Sequence, residues 1–371
     1  VIPQVLADLA ALVAIPSVSA LPANAADVQR SARWISDQLE ALGCPDVRIV
    51  AEGGQPAVIA RFPAPAGAPT VCLYAHHDVQ PTGDPAKWTT RDPFQVREQN
   101  GRLFARGVGD DKGGVMVHLA ALRAFGGRPP VGVTLFIEGE EEIGSPSLAD
   151  IIARHRDVLS ADVYVIADSG NWGVGQPAFT DTLRGLVDCV VEVSTLDHAL
   201  HSGQFGGAIP DALTTLCRLL ATLHDAEGNV AIEGLGAMPD PALDYPEDRL
   251  RAETGLLNGV RLLGEGPIAG RLWTKPTATV LGIDATSVAD ASNTLAPSAR
   301  AKVSVRIAPD ADPAAALVAV AKHLREHAPW GAHVTVTDGS TGSGTTIPFQ
   351  GPVADAARAA FVEAWGVEPV F

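Results

Sequence analysis

The sequence predicts an α/β protein in two parts: a layered domain with a mixed, largely parallel sheet, and an inserted domain of βαββαβ order. Three observations carry this. Over residues 1–182, short apolar runs rich in Val, Ile, Leu and Phe alternate with stretches of helical periodicity. Over residues 183–340, the order of runs is strand, helix, strand, strand, helix, strand, a split two-layer sandwich. Six metal-capable side chains, His76, Asp78, Asp110, Glu141, Glu142 and Asp168, each follow an apolar run.

The elements follow in order. After an apolar N-terminal segment, Val28, Ala32, Ile35, Leu39 and Leu42 recur at steps of three and four, which marks one buried helix face ending near Gly43. Strands are expected at 47–50, 57–62, 70–75, 131–137 and 161–167, because these runs are short and bounded by Gly, Pro or Asp. Helices are expected from Lys112 through Leu122 and over 148–159. Beyond Asp181 the reading is a strand at 186–194, a helix at 209–223, strands at 277–283 and 299–307, a helix at 313–327 and a strand at 333–337. The stretch 341–371 is read as returning to the first domain, with a helix at 353–365 and a strand at 367–371. A domain rarely stops within a core strand, so the native chain is expected to continue past Phe371.

Composition narrows the classes of function. The chain of 371 residues is 46% hydrophobic, enough for two packed domains, and its Gly and Pro are scattered through apolar segments. No run of eighteen apolar residues occurs, so no membrane span is expected. A net charge of −16 disfavours nucleic acid as a partner, since phosphate binding wants clustered Lys and Arg. Cys44, Cys72, Cys189 and Cys217 form no CxxC pair and read as buried free thiols, which suits a reducing cytoplasm. The chain begins at Val1 without a basic-then-apolar signal pattern, and a processed start is expected.

The chemistry concentrates just after the strands. In an open α/β sheet the carboxyl ends of parallel strands share one edge, so residues following the runs at 70–75, 131–137 and 161–167 can converge. Carboxylates crowded there repel one another and take up protons unless a cation sits among them, and no Lys/Arg cluster accompanies these. His76-x-Asp78 fits a metal ligand and its orienter, or a strand-end His beside a solvated Asp. His77 faces the other side of an extended chain. Asp110-Asp111-Lys112-Gly113 fits a ligand loop, or a helix start with an Asp at its N-cap. Glu138-Gly139-Glu140-Glu141-Glu142 ends a strongly apolar strand, and adjacent glutamates there allow one to bind an ion while its neighbour takes a proton from water. Asp168 fits an oxygen ligand or a turn-forming residue. His118, His198, His323 and His327 are left outside the site.

Four of these motifs in this order, YAHHDVQP (74–81), RGVGDDKGG (106–114), EGEEEIGS (138–145) and IADSG (166–170), together with HSGQFGG (201–207), resemble the M20 family of zinc peptidases, in the manner of its dipeptidase branch. The resemblance implies that His76 and Asp168 bind one zinc, that Glu142 binds a second, and that Asp110 bridges the two. It implies Glu141 as general base, Asp78 as support for His76, and often a cis peptide after the bridging Asp. The βαββαβ insertion then corresponds to a lid and dimerisation domain. Its His201 would reach the substrate carbonyl across a homodimer, while Asn293 and Arg306 hold the substrate. On the residues alone, His201 also fits a helix cap, Asn293 a turn and Arg306 a sheet-face pair.

The resemblance therefore implies hydrolysis of the amide bond in a dipeptide or short peptide, with two Zn²⁺ per subunit, or Mn²⁺ or Co²⁺ in their place. One alternative is an N-acyl-amino-acid deacylase or desuccinylase acting on an acyl-amino-acid. The family places one more zinc-binding His late in the chain, and this sequence stops before it. A non-catalytic, metal-poor dimer module is the second alternative if that ligand is absent.

Overall fold

The computed structural model describes residues 2–371, which form two compact units, one up to Gly170 and one from Asn171. In the first unit, helices α1 (Ile2–Val13) and α2 (Ala25–Ala41) precede strands β1 (Asp46–Val50), β2 (Ala57–Phe62) and β3 (Thr70–His76). A short hairpin of β4 (Arg97–Gln99) and β5 (Arg102–Phe104) leads to α3 (Lys112–Ala124), β6 (Gly132–Glu138), α4 (Leu148–Arg154), α5 (Arg156–Leu159) and β7 (Val163–Ile166). The single helix expected at 148–159 is divided at His155, whose φ of −114° and ψ of 20° leave the helical range.

The sheet order is β1-β2-β6-β3-β7. The expected mixed sheet is present: β6, β3 and β7 run parallel, while β1 with β2 and β2 with β6 pair antiparallel. Every residue of β6 is buried, as a central strand covered on both faces requires. One face packs on Leu9, Leu12, Ile35, Leu39, Val115 and Leu119 from α1, α2 and α3. The other packs on Ile151, Val158 and Leu159 from α4 and α5. Each such fully buried side chain stabilises the fold by roughly 1.5–3 kcal/mol. The register places His76 opposite Glu138 and Tyr74 opposite Ile166, so three parallel strands end along one edge.

The second unit opens with β8 (Thr182–Leu183), β9 (Gly185–Ser194), β10 (Leu200–His201), α6 (Ser202–Phe205) and α7 (Ala212–Ala221). The last begins later than its periodicity suggests because Pro210 precedes Asp211, whose side chain caps Leu213 N and Thr214 N. Helices α8 (Glu247–Thr254) and α9 (Ile268–Trp273) follow, then β11 (Thr277–Asp284), β12 (Thr294–Leu295), β13 (Ser298–Ile307), α10 (Pro313–Glu326), β14 (His333–Gly342), β15 (Thr345–Thr346) and α11 (Pro352–Trp365). Strands β11, β13, β9 and β14 form an antiparallel sheet in that order. Alternate residues of β13 are buried against α7 and α10 through Leu216, Leu219, Val320 and Leu324. With β9, α7, β11, β13, α10 and β14 in sequence, the βαββαβ order is present. Strand β14 runs five residues past its expected end, through a bulge where Gly339 lets the Asp188 carboxylate approach.

The stretch 367–371 forms a single bridge, Val370 to Ala178, rather than a strand. Gly366 ends α11 in the left-handed conformation, and Pro369 lacks a donor for a ladder. Phe361, Phe371 and Phe349 pack about Phe179, at centroid distances of 4.4, 5.7 and 4.4 Å respectively. All four cysteines are free, but Cys217 is exposed on α7 rather than buried. Among the described residues no helix is long and apolar enough to cross a membrane.

Candidate metal centre

His76 is the last residue of β3 and is fully buried. Its Nε2 lies 3.0 Å from Asp110 Oδ1 and 3.9 Å from both Glu141 Oε2 and Asp168 Oδ2. Glu141 and Asp168 follow β6 and β7, so the shared edge of the parallel strands brings them to His76, while Asp110 arrives from outside that sheet, on the turn that opens α3. On the other side of the ring, Nδ1 lies 3.1 Å from the Asp78 carbonyl and 3.4 Å from Asp78 Oδ1. That contact fixes the ring's direction and leaves Nε2 facing the carboxylates.

Asp78 has a second task that sequence did not reveal. Its two carboxylate oxygens accept the backbone N–H groups of Glu141 and Glu142, at 3.2 and 3.1 Å. One buried carboxylate thus orients the imidazole and the adjacent glutamates together. Gln80, also missed, donates from Nε2 to Glu142 Oε2 at 2.8 Å and to the Glu142 carbonyl at 3.0 Å. Glu142 is accordingly turned towards Gln80 and stands outside the group gathered about His76 Nε2. The DVQP motif contained the signal: a polar residue two places past a buried Asp, in the same loop.

The Asp110–Asp111 peptide is cis, and the two aspartates divide the readings offered for this loop. The Asp110 side chain is 70% exposed and faces His76. Asp111 is buried and caps α3 by accepting Gly114 N at 3.1 Å, while its other oxygen accepts His76 N at 3.1 Å. Asp111 also shares with His76 and Asp168 a set of donor atoms within 4.8 Å of one another. Both its oxygens are already engaged by backbone N–H groups, whereas Asp110 Oδ1 meets only the imidazole, so Asp110 has the freer carboxylate. Gly114 is required here, since a Cβ would fall 2.2 Å from Asp111 Oδ1 and 2.9 Å from the Ala167 carbonyl.

The remaining glutamates of the 138–142 cluster are structural. Glu138 accepts the Tyr74 hydroxyl at 2.8 Å. Glu140 is buried and accepts Gln55 N, Ser147 N and Ser147 Oγ, which pins the loop from beneath. His77 faces away, with Nε2 2.9 Å from the Pro56 carbonyl.

The electrostatics test whether a cation fits. Burial lowers the pKa of His76, but Asp78, Asp111 and Asp168 outweigh it and lift the ring to about 10. Burial raises Asp111 to about 7 and also raises Glu141, Glu142 and Asp168; Asp110 adds repulsion on Glu142 and Asp168. Burial and mutual repulsion thus disfavour the charged form of these carboxylates. A divalent ion held here would offset that repulsion, and a nitrogen-and-carboxylate donor set suits Zn²⁺, Mn²⁺ or Co²⁺. The residues fit the group.

In the second unit, His201 ends β10 and lies opposite Thr294 of β12. Ser202 N donates to the Asn293 carbonyl at 2.9 Å, so His201 and Asn293 are neighbours. His201 occupies the cap position of α6, yet its side chain makes no capping bond. Arg306 is exposed on β13, opposite Thr277 of β11. Arg184, which sequence reading passed over, donates to Thr277 Oγ1 at 3.3 Å. Among the described residues neither guanidinium has a carboxylate partner. Burial and the charge of Arg306 both lower the pKa of Arg184.

A buried imidazole ringed by carboxylates at the edge of an α/β sheet is a donor set that could hold a metal ion. Residues 72–371 match the model of peptidase family M20/M25/M40, and the chain belongs to that family. It is a metallopeptidase. Over 98% of its length it is 33% identical to a cysteinylglycine-S-conjugate dipeptidase of Corynebacterium striatum, covering 81% of that protein. Over 86% of its length it is 29% identical to a Cys-Gly metallodipeptidase of Saccharomyces cerevisiae, covering 73% of it. The crystal structure of human carnosine dipeptidase 1 superposes with a TM-score of 0.83 at 26% identity, over 99% of this chain and 83% of that one.

Proposed function

We propose that this chain hydrolyses the peptide bond of dipeptides or short peptides at a centre of two divalent ions, with Zn²⁺ as the expected metal. The observation that carries the reading is the convergence of Asp110, Glu141 and Asp168 on the buried His76 Nε2. The names of its relatives, dipeptidases acting on Cys-Gly conjugates and on carnosine, support small peptides as the substrate class.

His76 and Asp168 would hold one ion and Glu142 the other, with Asp110 between them; its repulsion of both Glu142 and Asp168 suits that place. Bound there, the ions would polarise the scissile carbonyl and lower the pKa of the attacking water. Glu141 takes the proton from that water and delivers it to the leaving amine. Burial lifts the Glu141 carboxyl above its usual range, which improves it as a base. Asp78 keeps Glu141 aligned with His76 through the bonds described above.

The second unit completes the reading. Residues 183–340 serve as a lid and dimerisation domain, with 1–182 and 341–371 forming the catalytic domain. Edge strand β11 leaves Leu281 and Ile283 exposed, which suits a homodimer formed through this domain. His201 reaches into the site of a partner subunit to hold the substrate carbonyl oxygen, with Asn293 beside it. Arg306, with Arg184 near it, receives the terminal carboxylate.

Glu141→Gln tests the assignment. Zinc content should persist while the rate of dipeptide hydrolysis falls by about 10²–10⁴-fold. Retained activity removes Glu141 as the base.

A further inference from the structure

We propose that the segment 12–19, with Lys112 and Ser17 as its contacts, is a positioning element for the metal-binding loops. The inference rests on reading His76 and Asp110 as ligands. Lys112 opens α3 directly after Asp110-Asp111 and is fully buried. Its Nζ donates to the carbonyls of Leu12 at 3.0 Å and Ile15 at 2.6 Å, at the C-terminal end of α1. Leu12 lies in the last turn of α1 and Ile15 two residues past it; each carbonyl also accepts one backbone N–H, from Ile15 and Ser17 respectively, and the partial negative charge at a helix C-terminus suits a lysine nitrogen. A buried lysine is costly unless it is hydrogen-bonded, and an aliphatic side chain would fill the same space without that cost.

The same segment grips the other ligand loop. Ser17 is fully buried, its Oγ donates to the His77 carbonyl at 2.6 Å, and its own carbonyl accepts Val79 N at 3.0 Å. The two loops meet at Gly107, whose φ of +80° and missing side chain are both used: a Cβ would lie 2.6 Å from Val79 Cγ1 and 3.4 Å from Lys112 Cδ. Lys112 N closes the turn onto the Gly107 carbonyl at 3.1 Å. Moving segment 12–19 therefore moves the His76–Val79 loop and the Gly107–Lys112 loop together, and the 3.0 Å approach of Asp110 to His76 depends on both. This segment precedes residue 72, where the family match begins.

The test is Zn²⁺ titration by calorimetry into chelator-stripped full-length protein, with the melting temperature of each variant measured in parallel. Lys112→Met is expected to weaken zinc binding by about tenfold or more per folded molecule, and Ser17→Ala severalfold, as for other groups that orient metal ligands. Leu39→Ala, a core truncation on α2 at a side chain that makes no hydrogen bond to either loop, should lower the melting temperature yet bind zinc as the wild type does. Folded Lys112→Met with wild-type affinity overturns the inference. Should that variant not fold, Ser17→Ala decides alone, and unchanged affinity there overturns it. A wild-type protein that takes up no zinc overturns the metal-centre reading itself.

Discussion

His76 and His77 are consecutive, yet the pleat sends them to opposite sides of the sheet, and their surroundings give them opposite charge preferences. Carboxylates hold His76 high, while burial holds His77 down to about 4. The Pro56 carbonyl can only accept, so His77 Nε2 carries the proton, and Nδ1 is buried without a partner. A second proton would be stranded there. In the unfolded chain the same ring titrates near about 6.5, so the unfolded state binds more protons between these values. Stability from His77 is therefore complete above about pH 6.5 and is lost as pH falls towards 4. Urea unfolding should show wild-type protein losing about 2 kcal/mol more than His77→Gln between pH 7 and pH 5. Equal losses would refute this. Strand alternation made the division between His76 and His77 legible in the sequence. The role of Lys112 was not legible, because its partners are backbone carbonyls 97 and 100 residues away that carry no side-chain signature.

The loop leaving β6 shows what pattern reading can and cannot resolve in an element. A cluster of carboxylates after so apolar a strand marked a site, and adjacency suggested two working glutamates. Which glutamates work depends on where the backbone turns, and that is decided by Gly139. There the chain passes so close to Pro56 that a Cβ would lie 2.2 Å from the Pro56 carbonyl and 2.9 Å from His77 Nε2. Glu140 then turns inward to Ser147 and Gln55, and Glu141 turns towards His76. Gly139→Ala should destabilise the protein by about 1–3 kcal/mol through this overpacking, read as a lower urea midpoint with unchanged m-value. An unchanged midpoint would show that the loop gives way freely. The helix expected over 148–159 illustrates the converse: periodicity continues through His155 while the backbone does not.

At the scale of the whole molecule, α/β class, βαββαβ order and the strands that carry the site were all readable, because each rests on periodicity and on runs of apolar residues. The stretch 367–371 was not, since an apolar run beside Gly366 and Pro369 fits a strand by composition while its backbone supplies a single bridge. His76, Glu141 and Asp168 converge because β6, β3 and β7 are parallel neighbours, and the turn that opens α3 adds Asp110 to them. Burial and mutual repulsion disfavour the charged form of the cluster's carboxylates, and everything proposed for catalysis depends on a metal offsetting both. The direct measurement is zinc bound at a fixed free-zinc concentration, by elemental analysis, in wild-type protein and in Asp110→Asn. The wild type should hold zinc and the variant should lose it, with dipeptide hydrolysis lost in step. Equal zinc in the two proteins, or none in the wild type, would contradict the metal centre as described.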